Sequence, residues 1–202
     1  MSDDSMQAEL ARLYKPPHPL VVAKAIRHID PHGRRFVALS PFVVIGSEGE
    51  AGLDVSPRGG APGFVRVAHD GLSLLMPDRP GNNRLDTLNN IAERGRVALM
   101  FMIPGVDDIY RVNGTASLVT DETLCAQFDE FGRTPKTLLK VDVHEAFLHC
   151  PKALMRADLW GDSNRVDRAS LPSLSEMVSD QLGLAKPAAT HEEQVERLRE
   201  TL

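Results

Sequence analysis

Short runs of β-forming residues, most of them joined by turn sequences, constrain the fold of this chain more than any other feature. The predicted strands are residues 42–46, 53–56, 64–68, 72–76, 97–103, 110–119 and 137–148. Asp70 and Gly71 separate two of these runs and are typical of a tight β-hairpin. The regular strand–helix alternation of a parallel sheet is missing. We therefore expect an antiparallel barrel with helices at particular connections.

Helical patterns are concentrated before and after the predicted strands. Helices are expected over residues 6–14, 20–29 and 31–39, and again over 83–93 and 121–131. Ser173 and Thr190 each stand three residues before a Glu, which predicts two further helices that begin with capping boxes. This organisation predicts an N-terminal helical extension over residues 1–39, a barrel over 40–160 and a C-terminal helical extension over 161–202 that packs on the barrel.

Composition excludes several classes of protein. The 202 residues carry 23 Lys and Arg against 28 Asp and Glu, and this net charge of −5 argues against nucleic acid as a partner. No apolar run reaches the roughly 18 residues of a membrane span, and the acidic start does not resemble a secretion signal. With two cysteines the chain is expected in the cytoplasm, with Cys150 as a small buried thiol. The seven histidines form no metal-binding pattern, so no metal is predicted.

The stretch from 76 to 88 is the most informative for chemistry, because it joins a predicted strand to the start of a predicted helix. Such a junction offers unpaired backbone N–H groups and the positive end of the helix dipole, which together attract a phosphate. Arg79 and Arg84 add guanidinium groups, while Asn82 and Asn83 add neutral donors. The sequence therefore indicates either an anion site or an ordinary solvated turn.

A second stretch, residues 53–64, ends a strand in Ser56 and Arg58 and continues into a loop rich in Gly and Pro. It lacks the phosphate-binding P-loop pattern, and the chain has no G-x-G-x-x-G. The stretch is either one wall of a ligand cleft or a long hairpin loop.

Four motifs occur in the order that is typical of one known family. They are D-V-S-P-R-G at 54–59, P-D-R-P-G-N-N-R-L-D-T-L at 77–88, R-V-N-G at 111–114 and C-P-K-A-L-M-R at 150–156. Over roughly 120 residues the chain resembles the pyridoxamine 5′-phosphate oxidase-like FMN-binding family. The resemblance implies an α+β fold, a split antiparallel β-barrel, and a homodimer with FMN at the subunit interface.

The resemblance also implies which residues bind the cofactor. Arg84 corresponds to the basic residue that meets the FMN phosphate, and Asp78 to the end of the strand before that turn. Ser56 and Arg58 lie on the strand that runs along the flavin, and Arg111 and Lys152 reach the cofactor or its substrate from the neighbouring subunit. The full expected set is Ser56, Arg58, Asp78, Arg79, Asn82, Asn83, Arg84, Arg111 and Lys152.

The implied function is an FMN-dependent oxidoreductase that acts on an unidentified small molecule or electron donor. Residues 190–202 do not resemble the Trp- and Arg-containing ending of true pyridoxamine-phosphate oxidases, so that particular activity is not expected. No side chain stands out as an acid or base, so catalytic residues are not predicted. The alternatives are a non-catalytic, stress-related flavin-binding module, or the same barrel holding a deazaflavin or haem.

Overall fold

The structure is a computed structural model that describes residues 3–130, 132–185 and 189–200. In this part of the chain the helices are α1 (Asp3–Leu13), α2 (Pro19–Ala23), α3 (Pro31–Leu39), α4 (Asp86–Glu93), α5 (Glu122–Ala126), α6 (Lys152–Ala157), α7 (Leu174–Leu182) and α8 (His191–Arg199). A short 3-10 helix covers Arg168–Ser170.

Seven strands form one antiparallel sheet. They are β1 (Phe42–Gly49), β2 (Gly52–Gly59), β3 (Arg66–Val67), β4 (Ser73–Pro77), β5 (Arg96–Ile103), β6 (Val106–Val119) and β7 (Leu138–His149). Their order in the sheet is β2-β1-β5-β6-β7-β4-β3. The predicted hairpin at Asp70 and Gly71 is confirmed, although its first strand is only two residues long.

The sheet curls until its two ends face each other, which gives the expected α+β split antiparallel barrel. Arg58, in the edge strand β2, lies 3.9 Å from the carboxylate of Asp78, which directly follows β4. These strands are first and sixth in the sheet order. No ladder joins β2 to β4, so the barrel is closed here by side chains.

One face of the curled sheet forms the core. Val43 and Ile45 on β1, Leu99 and Phe101 on β5 and Val112 on β6 are almost fully buried. They alternate with more exposed residues because successive side chains in a strand point to opposite faces. Helix α4 packs on the core beside β1, where the side-chain amide of its Asn90 donates to the Ser47 hydroxyl.

The β6–β7 pair explains the glycine of the R-V-N-G motif. The register of the two strands shifts between Asn113 and Gly114. A Cβ at Gly114 would lie 2.1 Å from the carbonyl oxygen of Asp142, so the close approach of the two backbones requires glycine.

The prediction of one helix over residues 20–29 is wrong beyond Ala23. Helix α2 ends there, and Ile26 instead exchanges two backbone hydrogen bonds with Ala146 of β7, at 3.1 and 2.7 Å. Strand β4 pairs only with residues 138–142 of β7, so the backbone N–H and C=O groups of β7 beyond residue 142 need other partners. The extended segment at Ile26 supplies one.

Two other predicted helices are shorter in the structure. Helix α4 begins at Asp86 instead of residue 83, because Asn83 and Leu85 adopt positive φ angles of 57° and 59°. Helix α5 ends at Ala126 instead of residue 131, and Phe128 turns into a small core with Cys125 and Leu138. Residue 131 lies outside the described residues.

The nearly continuous apolar run over residues 97–103 predicts a strand that is buried on both faces, and this is wrong for β5 in the single chain. Val97, Leu99 and Phe101 are buried, but Ala98 is exposed and Met100 is half-buried in the single chain. The predicted capping boxes of α7 and α8 are confirmed. None of the described helices is long and apolar enough to cross a membrane.

Candidate functional site

The inner face of β2 presents a polar row to the open side of the barrel. Ser56 pairs with the buried Ile45, and Arg58 pairs with the buried Val43. Directly opposed residues share a face of the sheet, so Ser56 and Arg58 face inward, as does Asp54. Because β2 is the first strand in the sheet order, its outer edge has no strand partner among the described residues, and we call the region between this polar row and residues 78–87 the groove.

The outer face of β2 is apolar and uncovered in the single chain. Leu53 is 85% exposed and Val55 is 69% exposed. Val55 pairs with Gly46, which pairs in turn with the exposed Ala98 of β5. This outer face of β2, β1 and β5 is an apolar patch on the opposite side of the sheet from the groove.

The groove ends at Arg58 and Asp78. Both side chains are mostly buried, with 18% and 24% of their surface exposed, and their closest charged atoms lie 3.9 Å apart. Burial raises the pKa of the Asp78 carboxyl, and the positive charge of Arg58 only partly offsets this rise.

The turn after Asp78 exposes the start of α4. The side chain of Asn82 accepts a hydrogen bond from the backbone N–H of Arg84 at 3.1 Å, which fixes the turn. Leu85 stands at the N-cap of α4 with a left-handed backbone, and its side chain gives the helix no cap. The first turn of α4 therefore has backbone N–H groups that no N-cap side chain satisfies.

Arg84 lies at this helix start, and its guanidinium is paired with the carboxylate of a neighbouring residue. Its Nε donates to the Asp86 carboxylate at 2.7 Å, and this bond raises the pKa of Arg84. The Arg84 side chain is 73% exposed, so the pair is solvated. Thr87, the second residue of α4, donates to the Asp54 carboxylate at 3.3 Å and links the helix to the inner row of β2.

Arg79 points away from the start of α4. Its Nη2 donates to Glu130 at 2.6 Å and its Nη1 to the carbonyl of Arg133 at 3.3 Å. Its Nε is buried and has no hydrogen-bond partner among the described residues. The structure thus places Arg79 against Glu130 and Arg133.

Arg111 and Lys152 are separate from the other predicted site residues. Arg111 pairs with Met100 and Phe147 on the outer face of the sheet, and its guanidinium lies 5.2 Å from the centre of the Phe147 ring. Lys152 begins α6, beyond the end of β7. Neither residue reaches the groove of its own chain, so their part in binding stays a prediction that needs a second subunit.

The two thiols differ from each other. Cys150 is exposed, so the expectation of a buried thiol is wrong for this residue, which lies in the turn after β7. Cys125 is the buried thiol, and burial raises its pKa. Across the described residues, no three His, Cys, Asp or Glu side chains come together as a metal site.

The donors at this groove suit a phosphate-bearing polar ligand. An uncapped helix start with Arg84 beside it is linked to the inner row of β2 by the Thr87–Asp54 hydrogen bond, and this row also carries Ser56 and Arg58. Two surface cavities of about 460 and 350 Å³ lie elsewhere, one beside Thr120 and Lys136 and one beside Arg27. Those cavities lack this combination of arginines and helix start, so the groove is the better candidate.

Asp54, Thr87 and Glu130 were missed at the level of sequence. Asp54 stands two residues before Ser56, so strand alternation places it on the same face. Thr87 lies in the motif at 77–88, but only the fold shows that it contacts Asp54. Glu130 is 51 residues from Arg79, and no local pattern signals such a contact.

Comparison with known proteins identifies the family. A model of the pyridoxamine 5′-phosphate oxidase family matches residues 29–150, which is more than half of the chain. The chain belongs to this family. No curated protein matches it.

Solved structures of similar fold have low sequence identity to this chain. A structure of HupZ from Group A Streptococcus is 17% identical, covers 59% of this chain and 93% of its own, and has a TM-score of 0.48. A putative pyridoxamine 5′-phosphate oxidase from Lactobacillus delbrueckii is 17% identical and covers 61% and 98%, with a TM-score of 0.47. HutZ, the heme storage protein from Vibrio cholerae, is 15% identical and covers 60% and 94%, with a TM-score of 0.42.

The raised pKa of Asp78 predicts a pH-dependent gain in stability for Asp78→Asn. A folded-state pKa above the unfolded value means that the ionised carboxyl destabilises the fold, and this cost grows as the pH rises through the folded pKa. The Asn variant should have a higher urea midpoint than wild type at pH 7. The difference should vanish as the pH falls towards the unfolded value of about 3.9.

Asp162→Asn is the matched control, since the Asp162 side chain is 86% exposed. If Asp78→Asn lowers the midpoint at pH 7, the Arg58 contact outweighs burial and this account of Asp78 is wrong.

Proposed function

We propose that this chain binds FMN in the groove between β2 and the start of α4, and uses it as an oxidoreductase of small molecules. The observation that carries the proposal is the uncapped N-terminus of α4, with Arg84 beside it and the inner row of β2 opposite. A helix start of this kind favours a phosphate dianion. FMN carries a phosphate at one end and a polar ring system at the other, so it is the cofactor that suits this groove in a member of this family.

The residues of the groove bind and orient, and bound FMN would supply hydride or electron transfer. The N–H groups of α4 and the guanidinium of Arg84 would neutralise the phosphate. Ser56 and Arg58 would donate hydrogen bonds to the polar part of the flavin. Asp78 holds Arg58 at the end of the groove.

A haem in the same groove is the second possibility, raised by the similarity to HutZ, the heme storage protein from Vibrio cholerae. Haem iron is usually held by His, Cys, Met or Tyr. The groove side chains described above are Asp54, Ser56, Arg58, Asp78, Asn82, Arg84, Asp86 and Thr87. This donor set favours a phosphate ligand over haem.

The redox part of the proposal is tested by adding NADH or NADPH to flavin-loaded protein without oxygen. An oxidoreductase of this kind is expected to lose its flavin absorption with one of the two donors and to recover it in air. A flavin that stays oxidised with both donors would instead indicate a non-catalytic flavin-binding module.

The phosphate contact predicts that Arg84→Ala weakens FMN binding by about 10- to 100-fold, the equivalent of one charge-assisted hydrogen bond of roughly 1.5–3 kcal/mol. Riboflavin lacks the phosphate, so its affinity should hardly change. Flavin fluorescence quenching measures both affinities.

Arg94→Ala is the matched control for Arg84→Ala. Arg94 lies at the other end of α4 and also pairs with a carboxylate, that of Glu48, at 2.8 Å. Arg94→Ala should leave the affinities for FMN and for riboflavin near their wild-type values. An unchanged ratio of FMN to riboflavin affinity in Arg84→Ala would contradict the phosphate contact.

We further propose that the chain forms a homodimer through the outer face of β2, β1 and β5. Leu53 and Val55 are large apolar side chains exposed on the outer face of β2, and Val55 lies in line with Ala98 of β5 across Gly46. Exposed apolar patches of this kind mark interaction sites. An edge strand with such a face is protected from aggregation when a partner covers it.

Val55→Asp tests the dimer, because it places a charge at the centre of the apolar patch. Light scattering of wild type should give twice the 22.2 kDa mass of the chain, and Val55→Asp should give the mass of one chain. Val166→Asp is the control, since Val166 is 73% exposed but lies outside the patch. A monomeric wild type, or a Val55→Asp variant that stays dimeric, would contradict this interface.

A further inference from the structure

Beside the end of the groove, Glu130 connects the loop after β2 to the turn before α4 through one carboxylate. One oxygen accepts the backbone N–H of Ala61 at 2.8 Å, in the Gly-rich loop that follows β2. The other accepts from Arg79 at 2.6 Å, in the turn before α4. A Cβ added at Gly60 would lie 3.2 Å from the same carboxylate, so the loop packs directly on Glu130. Ala61 and Arg79 are 69 and 51 residues away from Glu130 in the sequence.

The Arg79–Glu130 pair differs from the other two ion pairs at the groove. Arg84 is 73% exposed in its pair with Asp86, and Arg58 lies 3.9 Å from its partner. Arg79 and Glu130 expose only 21% and 16% of their side chains and lie 2.6 Å apart. A short, mostly buried pair is screened little by solvent and costs much to break on one side.

The other contacts of Arg79 do not replace Glu130. Its Nη1 makes a longer bond of 3.3 Å to a backbone carbonyl, and its buried Nε has no partner in the part of the chain that the structure describes. A buried donor without a partner is unfavourable. The direction of the Arg79 side chain therefore depends on the Glu130 carboxylate.

We propose that Glu130 is a positioning residue for the cofactor groove. It fixes the loop at Ala61 against the turn at Arg79, and it keeps the Arg79 guanidinium away from the phosphate of the ligand. The inference rests on the proposed flavin site, and it changes the expected role of Arg79 from phosphate ligand to part of the groove wall.

This role predicts a pattern of affinities that differs from that of Arg84. A change in the wall alters the groove for the whole flavin, so FMN and riboflavin should weaken together. A change in a phosphate ligand weakens FMN alone. Because Glu130 and Arg79 act as one unit, their substitutions should also fail to add.

The experiment measures FMN and riboflavin affinities of Glu130→Ala, Arg79→Ala and the double variant by fluorescence quenching. Each single variant should weaken both ligands by about 10-fold, through loss of a preorganised groove. The FMN to riboflavin ratio should stay within about twofold of wild type, and the double variant should bind as the single variants do.

Glu130→Gln and Glu93→Ala complete the design. The Gln side chain still accepts from Ala61 but loses its charge, so it should recover part of the lost affinity for both flavins. Glu93 accepts the backbone N–H of Glu50 at 2.8 Å, at the opposite end of β2, so Glu93→Ala should leave flavin affinity unchanged.

Amide hydrogen exchange tests the same contact without any ligand. Exchange at residues 60–64 should become faster in Glu130→Ala and stay unchanged in Glu93→Ala. If wild type binds no flavin, the proposed function fails, while this exchange result still decides whether Glu130 holds the loop.

Three results would overturn the inference. The first is unchanged affinity for both flavins in Glu130→Ala. The second is a loss confined to FMN in Arg79→Ala, which would make Arg79 a phosphate ligand. The third is unchanged exchange at residues 60–64 in both Glu130 variants.

Discussion

The barrel is closed by side chains where its two ends meet, and the groove exists because of this closure. No backbone ladder joins β2 to β4, so Arg58 and Asp78 face each other across the gap instead. The pair is mostly buried yet 3.9 Å apart, and burial raises the pKa of the Asp78 carboxyl. A packed strand here would fill the groove. The open edge of β2 leaves its polar inner row available to a ligand.

Each arginine of the groove has a carboxylate partner, and Asp54 adds a further carboxylate, so an anion must separate one of these pairs to gain an arginine. The pairs differ in what a ligand would need to displace. Arg84 and Asp86 are solvated, and exposed pairs contribute little stability, so Arg84 exchanges its partner at low cost. Arg79 and Glu130 are mostly buried and stay together. If the groove binds FMN as proposed, this difference favours Arg84 as the phosphate ligand and Glu130 as a residue that shapes the groove.

Local patterns predicted the strands, the hairpin and the capped C-terminal helices, because these depend on neighbouring residues. The structure brings Ser56, Arg58 and Asp78 of the family motifs together, while their contact with a cofactor stays a prediction. Contacts between distant segments could not be predicted, as with the pairing of Ile26 and Ala146 that ends α2 early. The contact of Arg79 with Glu130 is of the same kind. Exposure of Cys150 also depends on how the chain turns after β7.

The central claim is that this groove holds FMN, and the visible spectrum of the purified protein tests it most directly. The protein is supplied with excess FMN, passed through a desalting column and scanned. The account predicts a retained flavin spectrum, with FMN bound to every chain. Protein that retains no flavin, or that shows the Soret band of a haem instead, would contradict it.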